Sequence, residues 1–367
     1  MSLAQRNLFQ NKVRLSLSAV GVALSVMLIL ILNGFLTGVH RQATAYLDNS
    51  PGSVVVVQQG IRNFFAASSV LPPGTVTSVR ETKGVSRALG IASQFVIFEL
   101  HDEKQGAQVV GYDPDSGGGP WELSEGRDVR DGDEAVVDRA LAKTHDISVG
   151  DELTIGEREF TVVGISEGTS MWAAGLMFVR KDAAQEELMR SSDATSLLLV
   201  TPEDGVAPTT LRERLGDISG TDAMLKSAMA DNDQQLFARA FGGPLRLMVG
   251  ISLLVGALVV GLVIYTATVE RQKEYGVLKA VGARNRMLYR VVTTQALIAA
   301  SLGSALGVGL AYGASRIIAV LRPEFLVAIE PKAVGWALLM GMVMALLGAI
   351  LPVHTIAKLA PAEVFRR

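Results

Sequence analysis

The sequence predicts an α-helical membrane domain of four transmembrane helices, with a large extracytoplasmic mixed α/β domain inserted between the first and second. Three observations lead there: where the apolar residues lie, where they do not, and how charge is distributed. Hydrophobic residues make up 49% of the 367-residue chain and its mean hydropathy is +0.34, above the soluble norm. The excess sits in four uncharged runs, between Arg14 and Arg41, Arg246 and Glu270, Arg290 and Arg316, and Lys332 and Lys358. Each run holds the ~20 residues that cross a bilayer core of ~30 Å at about 1.5 Å per residue. The net charge of −2 conceals a segregation: residues 41–245 carry 18 Lys and Arg against 31 Asp and Glu, and the remainder carries 16 against 5. An acidic, water-compatible domain is thus flanked by basic membrane segments. Cysteine is absent, so that domain depends on its core alone for stability.

In chain order, residues 1–14 form a basic cytoplasmic N-terminus with Arg6, Lys12 and Arg14. A signal peptide would begin this way, and Ala43-Thr44-Ala45 offers a small-residue cleavage pattern. The apolar run of residues 15–39 is, however, longer than the roughly 7–15 residues of a signal core, which favours an uncleaved first span. Residues 40–244 form the extracytoplasmic domain, with two lobes and a boundary near 113–120, where Pro114 and three glycines fall together. Short β-branched or aromatic runs predict strands at 54–57, 95–100, 109–111, 134–137, 160–163, 177–179 and 196–200. Short helices are expected at 139–145, 182–189 and 209–215, and a further one at 231–241. Gly242-Gly243-Pro244 then predicts a break or kink, a hinge before the second span at 245–268.

Residues 269–290 form a charged segment between two apolar runs, followed by the third span (291–315), a short outer loop (316–332), the fourth span (333–357) and a tail (358–367). Basic residues cluster in the N-terminus, the 269–290 segment and the tail, so the positive-inside rule places all three in the cytoplasm. Gly303–Gly307 and Gly309–Gly313 have the spacing that lets membrane helices approach closely. Pro352 predicts a kink near the end of the fourth span.

Chemical motifs are few. The sequence contains no GxxxxGK[ST], HExxH or GxSxG, and its four histidines lack metal-ligand spacing. His40 stands where the first span meets the outer interface, as an interfacial polar residue or as a ligand to a metal or porphyrin. Carboxylates at Asp131, Asp133 and Glu134 lie in a turn-like context, which suits solvated turns better than acid–base work. An acidic domain also argues against nucleic acid as a partner. In the 269–290 segment Tyr275, Leu278 and Val281 share one helical stripe, and Glu270 and Glu274 repel at i, i+4. Exposed repelling acids beside an apolar stripe suit a basic partner surface, although an anchor on anionic lipid would use the same arginines.

The run from Glu270-Arg271 through Glu274-Tyr275-Gly276-Val277-Leu278-Lys279-Ala280-Val281-Gly282-Ala283 resembles the cytoplasmic signature of FtsX-like ABC transporter permeases of the MacB and LolC type, a type VII ABC architecture. Ala4-Gln5-Arg6-Asn7-Leu8, Val149-Gly150-Asp151-Glu152-Leu153, Phe160-Thr161-Val162-Val163-Gly164-Ile165 and Pro361-Ala362-Glu363-Val364-Phe365-Arg366 agree with it. The resemblance implies a homodimer or paired permease in the bacterial inner membrane, with ATP and Mg²⁺ held by a separate ATPase subunit. It implies ATPase coupling through Glu270, Arg271, Glu274, Tyr275, Leu278, Lys279 and Val281, and mechanotransmission outward through the first and second spans. The expected function is export of a hydrophobic or amphiphilic compound, such as a drug, a lipid-linked molecule or haem as substrate rather than cofactor. Phe35, His40, Phe241 and Met248, near the outer ends of those spans, are the expected substrate contacts. The alternative is a non-transporting relay that activates an extracytoplasmic cell-wall hydrolase or sensor. A membrane-anchored enzyme finds no catalytic constellation to support it.

Overall fold

The computed structural model describes residues 12–64, 69–100, 103–171, 174–270, 277, 281 and 284–358. They fall into two compact units. One comprises Gly38–Ala240 and Ala319–Leu326, and the remaining described residues form the other.

The first of these is the α/β unit. After helix α1 (Lys12–Asn49) it contains β1 (Val54–Gln58), α2 (Thr75–Glu81), β2 (Val85–Leu100), β3 (Glu103–Tyr112), β4 (Leu123–Gly126), β5 (Glu134–Asp138) and α3 (Arg139–Thr144). There follow β6 (Glu152–Ile155), β7 (Arg158–Ser166), β8 (Ser170–Met171), β9 (Ala174–Arg180), α4 (Lys181–Glu187), β10 (Leu197–Pro202), α5 (Pro208–Leu215) and β11 (Thr221–Leu225). The strands join in one mixed sheet ordered β11-β1-β10-β2-β3-β9-β5-β7-β4, with β6 on β7 and β8 on β9.

The four valines of β1 show why the sheet is covered on both sides. Val54 and Val56 pack with Val79, Leu211 and Leu215 of α2 and α5, whereas Val55 and Val57 pack with Tyr46 and Leu47 of α1 and with Met229. Alternate side chains of a strand point to opposite faces, so a run apolar at every position is the pattern of a strand buried twice. The far end of the sheet has its own core, in which Phe160, Val162, Met177 and Val179 meet Leu141 of α3 and Ala183 and Ala184 of α4. Asp138 caps α3: its Oδ2 accepts from the amides of Ala140 (2.8 Å) and Leu141 (3.3 Å), and its Oδ1 from the Thr169 hydroxyl (2.7 Å). Burial pushes this carboxyl up, and the donors around it oppose that shift.

The expected lobe boundary near 113–120 is a turn closed by an Asp113–Gly117 bridge, and the sheet is not divided there. The change of partners occurs inside β2, which pairs with β10 up to Ile91 and with β3 from Ala92 onward.

The other unit is helical. It contains most of α1 together with α6 (Lys226–Glu270), α7 (Asn285–Leu321) and α8 (Pro331–Lys358), of which α1, α6 and the end of α7 supply residues to both units. Each of the four helices is long and apolar enough to cross a membrane. Small residues set their packing. A Cβ at Gly303 would lie 2.5 Å from the Ala19 carbonyl oxygen and one at Gly307 would lie 2.6 Å from that of Ala23, so α7 rests on the backbone of α1. Gly348 of α8 meets Gly261 of α6 in the same way, with a Cβ 2.9 Å from the Gly261 nitrogen. In lipid, where no hydrophobic force draws helices together, such approaches supply the packing. The second spacing behaves differently: nothing lies within 4 Å of a Cβ at Gly309 or Gly313, and both face outward.

The break expected at Gly242-Gly243-Pro244 is absent. Residues 226–270 form one helix of 45 residues, about 68 Å long at 1.5 Å per residue, with Pro244 inside it. Proline removes one intrahelical hydrogen bond, and a long helix with bonded turns on both sides tolerates a single loss. Arg246 reinforces the joint by donating from Nε to the Gly242 carbonyl at 2.9 Å. Pro352 likewise lies within α8.

Candidate functional site

The helical unit carries an apolar groove of about 840 Å³ between α6 and α8. Its floor follows from the glycine contact just described: where Gly261 meets Gly348, neither helix has a side chain to fill the space beside the crossing. Leu254, Leu258 and Leu262 of α6 rise along one wall and are 63%, 59% and 64% exposed. Successive spacings of four residues place them on one helical face. Val343 and Leu347 of α8 form the other wall. Among the described residues, polar side chains line it only at Tyr265 and His354. Such a surface can hold hydrocarbon and offers polar contacts at those two residues.

The substrate contacts expected from sequence lie elsewhere. Phe35 and Phe241 are half-buried and Met248 is 46% exposed, and none of them lines the groove. His40 is half-buried, and its Nε2 has no hydrogen-bond partner among the described residues. The stripe of Leu254, Leu258 and Leu262 was visible in the sequence as unrelieved apolar residues on one face. What sequence could not supply was the Gly348 partner that turns the stripe into a groove wall.

Of the coupling residues, Glu270 is exposed at the end of α6, whereas Arg271, Glu274, Tyr275, Leu278 and Lys279 lie outside the described residues. Val281 is 84% exposed and Val277 46% exposed, and the Val281 amide donates to the Val277 carbonyl at 3.0 Å. The two exposed apolar side chains thus lie four residues apart, at either end of one backbone hydrogen bond.

Two of the three carboxylates considered for acid–base work, Asp133 and Glu134, are engaged in structural contacts. Glu134 takes both guanidinium nitrogens of Arg127 and the backbone amide of Arg130, and Asp133 pairs with Arg158 at 2.7 Å. The arginine holds the Glu134 carboxyl down at about 2.

Four apolar helices with one α/β domain inserted after the first define a multi-pass membrane protein. Known proteins agree. Residues 15–218 match the MacB-like periplasmic core domain, and residues 246–361 match the FtsX-like permease C-terminal domain. The chain belongs to the FtsX-like, MacB-type family of ABC transporter permeases. An uncharacterized ABC transporter permease of Mycobacterium tuberculosis H37Rv is 24% identical over 365 residues, covering 99% of this chain and 98% of its own. One from Mycobacterium bovis is 24% identical over 364 residues with the same coverage. The macrolide export ATP-binding/permease protein MacB 1 of Yersinia pestis is 28% identical over 235 residues, which are 60% of this chain and 35% of that protein.

Proposed function

We propose that this permease is the membrane subunit of an ATP-driven exporter of hydrophobic or amphiphilic compounds. The observation that carries this reading is the groove of about 840 Å³, walled by exposed leucines and open at the surface of the helical unit. A water-soluble solute gains nothing from such a surface, while a molecule already dissolved in lipid enters it without crossing water. Drugs, lipid-linked molecules and haem all fall within that class.

In this reading both termini and the 269–290 segment face the cytoplasm of a bacterial cell, and the α/β domain lies outside. A separate ATPase holds ATP and Mg²⁺ and docks on Glu270, Arg271, Glu274, Tyr275, Leu278, Lys279 and Val281. The exposed pair Val277 and Val281 supports a docking surface there. Its closure is relayed outward by α1 and α6, past Phe35, His40, Phe241 and Met248. A second copy packs along Leu17, Val20 and Leu24 of α1, each at least 46% exposed.

The test is transport in liposomes containing the permease and its ATPase. Leu258→Trp fills the groove and is expected to lower ATP-dependent efflux of a fluorescent amphiphile at least tenfold while ATP turnover persists. Efflux at the original rate in that variant would refute the groove as the entry site.

A further inference from the structure

In the α/β unit, three cations converge on one polar cavity of about 450 Å³. Arg80 comes from the last turn of α2, Arg87 from the start of β2, and Lys181 from the start of α4. The Asp113–Gly117 turn closes the fourth side. Separate elements far apart in sequence thus bring like charges together, which costs energy unless something negative offsets it.

The protein's own groups offset it only in part, through the Asp113 carboxylate, whose charge acts on Lys181. Among the described residues the side chains of Arg80, Arg87 and Lys181 form no ion pair or hydrogen bond, although residues 41–245 hold 31 acids against 18 bases. Asp113 is the one carboxylate lining the cavity, and it is engaged in its own turn. Its Oδ2 accepts from the Ser116 hydroxyl at 2.8 Å and its Oδ1 from the Asp115 amide at 3.2 Å. Neighbouring Arg180, by contrast, is paired with Asp182 at 3.1 Å.

Two glycines lie beside the cationic ends. The Lys181 Nζ lies 2.5 Å from where a Gly90 Cβ would be, so a side chain there would displace the ammonium. An Arg87 guanidinium nitrogen lies 3.7 Å from the corresponding point at Gly117, whose φ is +86°. Burial, and then the Arg80 charge, push the Lys181 ammonium down from its ordinary range, and the Asp113 carboxylate opposes them. A bound anion would reverse the second effect and compensate the first.

We infer that this cavity binds a phosphate monoester. Three cations and one carboxylate leave two positive charges over, which matches the charge of about −1.5 to −2 that a monoester carries near pH 7. Arginine presents paired donors suited to phosphate oxygens, and lysine adds a point charge. The cavity, at about 450 Å³, also has room for a small organic group beside the phosphate. Such a site is distinct from the apolar groove and stands whether or not the groove is the entry site. The monoester belongs either to a soluble molecule or to a lipid headgroup.

The experiment uses the full chain in nanodiscs of zwitterionic lipid, in phosphate-free buffer, titrated calorimetrically with glycerol 3-phosphate. One saturable site per chain is expected, with affinity falling as salt rises. Arg87→Gln and Lys181→Gln should each weaken it at least tenfold, with unchanged melting temperatures. Nanodiscs containing phosphatidic acid separate the two sources: loss of glycerol 3-phosphate binding there identifies the headgroup, and retained binding identifies the soluble ester. Absence of saturable binding, equal binding of uncharged glycerol, or wild-type affinity in the folded Arg80→Gln/Arg87→Gln/Lys181→Gln chain would overturn the assignment.

Discussion

Glu134 illustrates how a single side chain can be read correctly in kind and still be underestimated. Its place in the run Asp131-Gly132-Asp133-Glu134 suggests a turn, and it lies at the end of one. What the sequence does not reveal is that Arg127, seven residues earlier, returns to meet it with two nitrogens while the Arg130 amide adds a third donor at 2.7 Å. These contacts hold the carboxyl at about 2 against an ordinary 4.5. A carboxylate depressed on folding contributes stability that is complete above the unfolded value and lost as protons are taken up. The contribution of this latch should therefore persist at neutral pH and disappear as pH falls from about 4.5 to about 2. Comparing melting temperatures of the parent and Glu134→Gln across that range checks it: the gap between them should close with acidification. A constant gap would mean that the latch is not electrostatic.

At the scale of elements, two identical spacings had different fates. Gly303–Gly307 and Gly309–Gly313 are indistinguishable as motifs, yet six residues along a helix of 3.6 per turn amount to a rotation of about 240°. The first pair therefore faces α1 and the second faces away. Gly303→Leu or Gly307→Leu should destabilise the bundle by about 1–3 kcal/mol or more, because the obstructing atoms are backbone. The same change at Gly309 or Gly313 should leave the melting temperature in detergent nearly unaltered, and equal effects at both pairs would contradict the packing. Helix α6 was legible as two helices and exists as one. Proline and glycine propensities report local cost, and the turns on either side outweigh it. Strand β2 was found only in its second half. The strand-like run at 95–100 marks that half, whereas Arg87 and Gly90 in its first half line a cavity beside the strand.

For the molecule as a whole, composition sufficed to find four spans and the inserted domain, since hydropathy and charge are additive along the chain. The groove and the cationic cavity were not legible, because each depends on elements brought together from distant positions. Sidedness rests on charge segregation alone and is directly testable. The native chain has no cysteine, so single replacements need no prior removal. Val281→Cys should react with a membrane-impermeant maleimide only after the cells are opened, and Asp204→Cys in intact spheroplasts. The reverse pattern would invert the topology.

The distribution of polar groups in the groove between α6 and α8 has one more consequence. Leucines occupy most of its length, while Tyr265 and His354 both stand toward the ends at which α6 and α8 terminate. The crevice is therefore a polarity ramp with a direction. A guest with a head and a tail has one favourable way to lie in it, since the reverse placement would strand a polar head among leucines at a cost of roughly 2–7 kcal/mol. On the proposed reading, guests would be sorted by orientation as well as by greasiness, and a molecule apolar at both ends would gain nothing from the ramp.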